Sequence, residues 1–164
     1  MDYRSEGASH PSGTHASVVE VDLDTGGVRL MAHAAVDDCG TVLNPAVVAG
    51  QQHGGAAAGI GQALFEAFTY DPDGNPRTTT FADYLLASAA ELPSFLTATM
   101  NIPSPTSLTG AKGIGENGAI AAPTAVQNAV VDALAPFGVT HIDLPITPER
   151  VWRALQDAEP DSQR

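Results

Sequence analysis

An α+β fold, a hairpin-led β-sheet packed with about three helices, is predicted by three features of the chain. Residues 17–36 hold two β-rich runs around a turn sequence, residues 51–68 and 124–134 carry apolar side chains at helical spacing, and residues 147–155 open with a capping threonine followed by proline. At 164 residues and 43% hydrophobic composition the chain can bury one sizeable core and is too short for two full domains. The expected domain runs from residue 16 to 158, after a flexible lead-in over 1–15 and before a frayed tail over 159–164.

The lead-in is rich in Ser, Gly and His and lacks apolar periodicity. Residues 17–23 read SVVEVDL, Asp24, Thr25, Gly26 and Gly27 supply turn chemistry, and Val28, Leu30, Ala32, Ala34 and Val36 alternate after it, which predicts a β-hairpin. Asn44 and Pro45 mark a break, and Ile60, Ala63, Leu64, Ala67 and Phe68 then predict a helix over 51–68. Gly54, Gly55, Gly59 and Gly61 each weaken that helix by about 1 kcal/mol relative to alanine, so they need a compensating close approach of another backbone or a ligand.

Residues 71–76 alternate oxygen side chains like a calcium loop, but Pro76 and Ala82 stand where such a loop needs glycine and glutamate, so the segment is a turn. Strand character follows at 78–81 and 95–100, separated by an acidic, alanine-rich stretch. Val126, Ala129, Val130, Ala133 and Leu134 share one helical face that ends before Pro136 and Gly138. The final helix has Thr147 as N-cap, Pro148 at its first position and Glu149 in its first turn. Phe137 and Trp152 are expected as core anchors.

Charge narrows the function. Nineteen acidic residues against seven basic ones give a net charge of −12, a field that repels nucleic acid and anionic membrane surfaces. There is no apolar run of the roughly 18 residues that a membrane span requires, and residues 1–6 hold no apolar signal core, so a cytoplasmic protein is expected. Cys39 is alone, which excludes an internal disulfide, and its neighbours Asp37 and Asp38 disfavour a reactive thiolate. The five histidines show no metal-ligand spacing, so no metal held directly by protein side chains is assigned.

The chemistry concentrates at residues 110–118, where the only lysine, Lys112, and one glutamate, Glu116, sit among four glycines. Such a loop lets backbone N–H groups approach a ligand closely. The stretch from Gly113 to Gly118 matches the GxGxxG dinucleotide pattern in form only. Prolines rather than a strand precede it, and Glu116 would face a pyrophosphate.

The loop instead resembles the glycine-rich Gly-Glu motif near the C-terminus of the molybdenum hydroxylase large subunit, the family of xanthine dehydrogenase, aldehyde oxidase and carbon monoxide dehydrogenase. Other segments resemble that region in the same order: Val19-Glu20-Val21-Asp22, Asp37-Asp38-Cys39-Gly40, Leu43-Asn44-Pro45, Gly50-Gln51-Gln52-His53-Gly54-Gly55, residues 59–66, Asp83-Tyr84 and residues 144–151. The resemblance runs from about residue 12 to 156 and leans toward the bacterial carbon monoxide dehydrogenase branch.

It implies hydroxylation at a molybdenum centre held by molybdopterin, in the cytosine dinucleotide form in bacteria, with electrons leaving through iron–sulfur centres and FAD. Glu116 aligns with the family's catalytic base, Gln51 with a glutamine that contacts the cofactor region, and Gly115 with the glycine beside the base. Lys112 and Gly113 line the same cradle in this reading. A lone carboxylate suits general-base chemistry, and backbone donors suit an anionic cofactor. With one cysteine the chain cannot hold an iron–sulfur cluster, so the implied partners are the remainder of the large subunit, an iron–sulfur subunit and a flavoprotein subunit. The substrate, a small molecule such as carbon monoxide, an aldehyde or a heterocycle, is not separable at this stage. A truncated, non-catalytic relative serving as an assembly or interaction domain is the alternative.

Overall fold

A computed structural model describes residues 7–158. Strand β1 (Ser12–Val21) pairs antiparallel with β2 (Val28–Asp38), and β3 (Phe95–Thr99) runs parallel to β2 on its other side, giving the order β1-β2-β3. The hairpin turn closes as its sequence predicts. Asp22 N–H donates to the Gly27 carbonyl at 2.8 Å, while the Asp22 carboxylate accepts from the Asp24 and Thr25 amides.

β1 starts at Ser12, so residues 12–15, expected in a flexible lead-in, are ordered strand. Ser12 pairs with Asp38 and His15 with Ala35. The alternation is invisible in sequence because the side chains at 15 and 17 that face inward are polar, and both bond His33 of β2 rather than an apolar core. The expected tail over 159–164 lies outside the described residues, as does the start of the lead-in.

Helix α1 (Pro45–Leu64) begins six residues before the periodicity suggests and ends four before. Asn44, read as a break, is its N-cap: its side-chain oxygen accepts from the Ala46 and Val47 amides, and Pro45 takes the first helical position. Helix α2 (Asn117–Leu134) also starts earlier than expected and carries Pro123 inside it. Its first turns are glycine and alanine because they press on α1. A methyl on Gly59 would come within 2.8 Å of the Gly118 carbonyl oxygen, and one on Gly55 within 3.2 Å of the Gly118 Cα. Two of the four glycines flagged from sequence thus permit a close helix crossing. Gly54 faces open space.

The segment 78–81 is not a strand. Thr78 Oγ1 accepts from the Thr69 amide, and Thr79 and Thr80 hydroxyls donate to Asp83, local bonds that replace a ladder. Helix α3 (Pro148–Asp157) begins as predicted, with Thr147 Oγ1 accepting from the Arg150 amide. The core joins Leu30 of the sheet, Ile60 and Leu64 of α1, Val126 and Val130 of α2, and Val151 of α3. Trp152 and Phe137 are not core anchors: they are 45% and 42% exposed. Val151 takes the inward position of α3, and the next residue on a helix points about 100° away. No helix among the described residues is long and apolar enough to cross a membrane.

Candidate active site

β2 ends on two consecutive buried carboxylates, Asp37 and Asp38, each with a separate task. Asp38 accepts from the Gly40 and Ile102 amides, both at 2.9 Å, and from the Lys112 ammonium at 2.6 Å. The Lys112 bond above all holds the Asp38 carboxyl below its ordinary pKa. Beyond it the chain turns at Gly40, φ +67°, and meets the glycine-rich loop in an antiparallel bridge, with Lys112 N–H donating to the Cys39 carbonyl at 2.7 Å and Thr41 N–H to Gly110 at 3.1 Å. A side chain on Gly40 would collide with the Gly110 carbonyl, so only glycine fits this turn. The loop is thereby fastened to the end of β2.

Lys112 therefore spends its charge on Asp38. Its chain, with Ala111 and Gly113, lines a hollow of about 400 Å³ whose other wall includes the hydroxyl residues Ser9, Thr106 and Thr109. A methyl added to Gly113 would meet nothing within 4 Å.

Asp37 is wholly buried and gathers three elements. Its Oδ1 accepts from His15 Nε2 of β1 at 3.3 Å and from Asn117 Nδ2 of α2 at 3.1 Å, and its Oδ2 accepts from Gln52 Nε2 of α1 at 2.9 Å. Behind His15 the network continues: His33 Nε2 lies 3.1 Å from His15 Nδ1, and Ser17 Oγ lies 2.9 Å from His33 Nδ1. One chain of donors satisfies every contact, with Ser17 donating to His33, His33 to His15 and His15 to Asp37. Burial first, and then neighbouring His15, push the His33 pKa down from 6.5 to about 4, against the opposing pull of Asp37.

Glu116 stands at the N-cap position of α2 but makes no capping bond, and its carboxylate has no partner among the described residues. It is exposed, at the rim of a second hollow of about 320 Å³ that it shares with His10, Ser12, Asp37, Asn117 and Ile120. Gln51, exposed on α1, reaches the residue before Glu116: a methyl on Gly115 would sit 3.1 Å from its Oε1. Of the residues singled out from sequence, Gln51 lies against Gly115, the chain neighbour of Glu116, while Lys112 and Gly113 line the other hollow. The arrangement presents one free carboxylate, able to take or give a proton, beside small residues that leave room for a ligand.

Sequence reasoning missed Asp37, Asn117, Gln52, His15 and His33. The signal was available at one point only: two adjacent aspartates close a strand whose alternation turns one of them inward.

Residues 2–93 match a family model described as the molybdopterin cofactor-binding domain. The chain is 47% identical over 145 residues to the nicotine 6-hydroxylase large subunit of Paenarthrobacter nicotinovorans, an alignment covering 88% of this chain and 18% of that protein. It is 39% identical over 149 residues to the carbon monoxide dehydrogenase large chain of Hydrogenophaga pseudoflava, covering 91% and 19%. Alignments of that length take in the glycine-rich loop, which lies beyond the family match. Among solved structures, quinoline 2-oxidoreductase from Pseudomonas putida 86 superimposes with a TM-score of 0.86 at 44% identity, over 88% of this chain and 18% of that one. A Cu,Mo-CO dehydrogenase gives 0.83 at 35% identity, over 89% and 18%. The chain spans about a fifth of the length of these relatives.

Proposed function

Because the chain belongs to the molybdopterin cofactor-binding domain family of the molybdenum hydroxylase large subunits, we propose that it is the C-terminal cofactor-binding lobe of such an enzyme and that Glu116 is the catalytic base. The observation that carries this reading is the state of Glu116: exposed, unpartnered among the described residues, and at the rim of a hollow. A glutamate serving only to cap its helix would be bonded to the amides of the first turn.

The residues present fit a molybdopterin. Gly113 is open on its Cβ side, Gly115 leaves space beside the Gln51 amide, and the hydroxyl-lined hollow at Lys112 is suited to polar groups. When bound, the cofactor supplies the two-electron redox centre at which a substrate carbon becomes hydroxylated. Gln51 orients the ligand through its side-chain amide. The bare backbone at Gly113 and Gly115 would permit close approach of the group, and Glu116 would accept a proton at its carboxylate.

The cytosine dinucleotide form is the form proposed here. The remainder of the large subunit, an iron–sulfur subunit and a flavoprotein subunit are the proposed partners. The similarity of this chain to part only of longer relatives supports the first. One relative is itself described as a subunit of a dehydrogenase complex. Large side chains standing exposed, Phe81 at 85% and Leu108 at 83% among them, suit a surface covered by partners. The relatives' descriptions name nicotine, quinoline, carbon monoxide and xanthine, so for this chain the substrate is a small molecule of that breadth. The proposed location is the cytoplasm.

The test is co-expression with the missing segments and partner subunits, followed by molybdenum and pterin analysis. Glu116→Gln is expected to lower turnover by roughly 10²-fold or more with cofactor content unchanged. Unchanged turnover in that variant removes the base assignment. A chain that stays soluble, assembles with no such subunits and holds neither molybdenum nor pterin is instead the assembly domain of the second reading.

A further inference from the structure

The geometry points to Asp37 as a positioning residue that acts through Asn117 to hold the Glu116 backbone and leave its carboxylate free. The inference rests on the reading of Glu116 as a base and adds a residue to it. The first turn of a helix has amide groups that need partners, and the residue at the N-cap ordinarily supplies one. Glu116 occupies that position and does not. If its carboxylate turned back onto its own helix, it could not serve the hollow.

The adjacent residue takes over the anchoring. Asn117 Nδ2 donates to Asp37 Oδ1 at 3.1 Å and to the Ser12 carbonyl at 3.2 Å, tying the start of α2 to both strands of the hairpin. The Asp37 carboxylate also sits where the partial positive charge of a helix N-terminus favours an anion. It is itself fixed by donors on β1 and α1, His15 and Gln52, and Gln52 is locked in turn by a 3.0 Å bond to the Ala98 carbonyl of β3. Strands β1 and β2 and helices α1 and α2 therefore converge on one buried carboxyl group, which bonds the chain neighbour of Glu116.

The three contacts to Asp37 are all donors, so an asparagine in its place has one acceptor oxygen where two are used. Asp37→Asn must abandon a partner, and Asn117→Ala removes the link to α2 alone while His15 and Gln52 keep theirs. The second variant keeps the test open if the first folds poorly. Two readouts apply. In the chain without cofactor, amide exchange at residues 119–122 is expected to quicken roughly ten-fold in either variant, with the hairpin turn unchanged as internal control. In the assembled, molybdenum-loaded enzyme, kcat is expected to fall roughly ten-fold with KM within about two-fold, and the double variant should be no worse than the more severe single. A purely structural Asp37 would lower the folded fraction and leave kcat per loaded enzyme intact.

Unchanged exchange at α2 in Asn117→Ala overturns the inference. So does unchanged kcat in both variants of an enzyme that Glu116→Gln inactivates. Full turnover in Glu116→Gln, by contrast, removes the base reading and with it the catalytic part of this one, and exchange then decides whether Asp37 holds the helix start.

Discussion

The Lys112 ammonium lies 2.6 Å from the Asp38 carboxylate, joining residues 74 positions apart and fastening the glycine-rich loop to the end of β2. Both groups are almost wholly buried, so removing one strands the other. Lys112→Met is expected to destabilise the chain by about 3 kcal/mol at neutral pH, read as a lower urea midpoint with an unchanged slope. The pair also sets an acid limit. The Asp38 carboxyl is held below its ordinary value of 3.8, chiefly by Lys112, so its stabilisation is present above that value and is lost as pH falls through the lower folded value. The variant should lose that part of the acid dependence; an identical acid limb would mean that the bond does not form in solution.

The glycines of the helix crossing give a paired prediction. Gly118 packs against the backbone at Gly55 and Ala56, where an added methyl has no space, so Gly118→Ala should cost about 2 kcal/mol despite the higher helix propensity of alanine. Gly54 lies in the same α1 helix, exposed and with nothing within 4 Å of an added methyl. Gly54→Ala should raise stability by up to about 1 kcal/mol. Thermal melts of the two variants check the crossing directly, because equal effects would contradict it.

His33 predicts a second pH window, separate from that of Asp38. Its pKa falls from 6.5 to about 4 on folding, so between those values the unfolded chain binds a proton that the folded chain does not. Stability is then full above about pH 6.5, declines as pH drops toward 4, and levels off below. The total loss is on the order of 3 kcal/mol. Denaturation across this range should show the decline in the native chain and little of it in His33→Asn. NMR titration of the ring should find its midpoint near 4; a midpoint near 6.5 would show the ring to be solvated.

How far the sequence could be read depended on whether inward-facing residues were apolar. The hairpin turn, the apolar half of α2 and the Thr147 cap of α3 were legible because alternation, helical spacing and cap chemistry are local signals. The starts of β1, α1 and α2 were not. His15 faces inward but is polar, and Gly55 and Gly118 pack through backbone, so neither leaves a hydrophobic period. The parallel pairing of β3 with β2 spans too much chain to be inferred locally. Gln51, Gly115 and Glu116 were singled out through motif resemblance. The Asp37 network was not, because its five other members lie on four elements and come together only after packing.

The glycines at 113 and 115 separate folding from cofactor loading, since neither is needed to relieve a backbone clash. A methyl on Gly113 enters open space, and one on Gly115 meets only the flexible end of Gln51 at 3.1 Å. Gly113→Ala and Gly115→Ala should therefore change stability by less than about 1 kcal/mol, within the range of ordinary surface substitutions. If a molybdopterin approaches the backbone there, each methyl stands in its way, and the molybdenum content of the assembled enzyme should drop several-fold with no change in the melting temperature of the cofactor-free chain. Full loading in both variants would mean that the loop keeps its glycines for a reason other than the ligand, and would move the cofactor cradle away from residues 113–115.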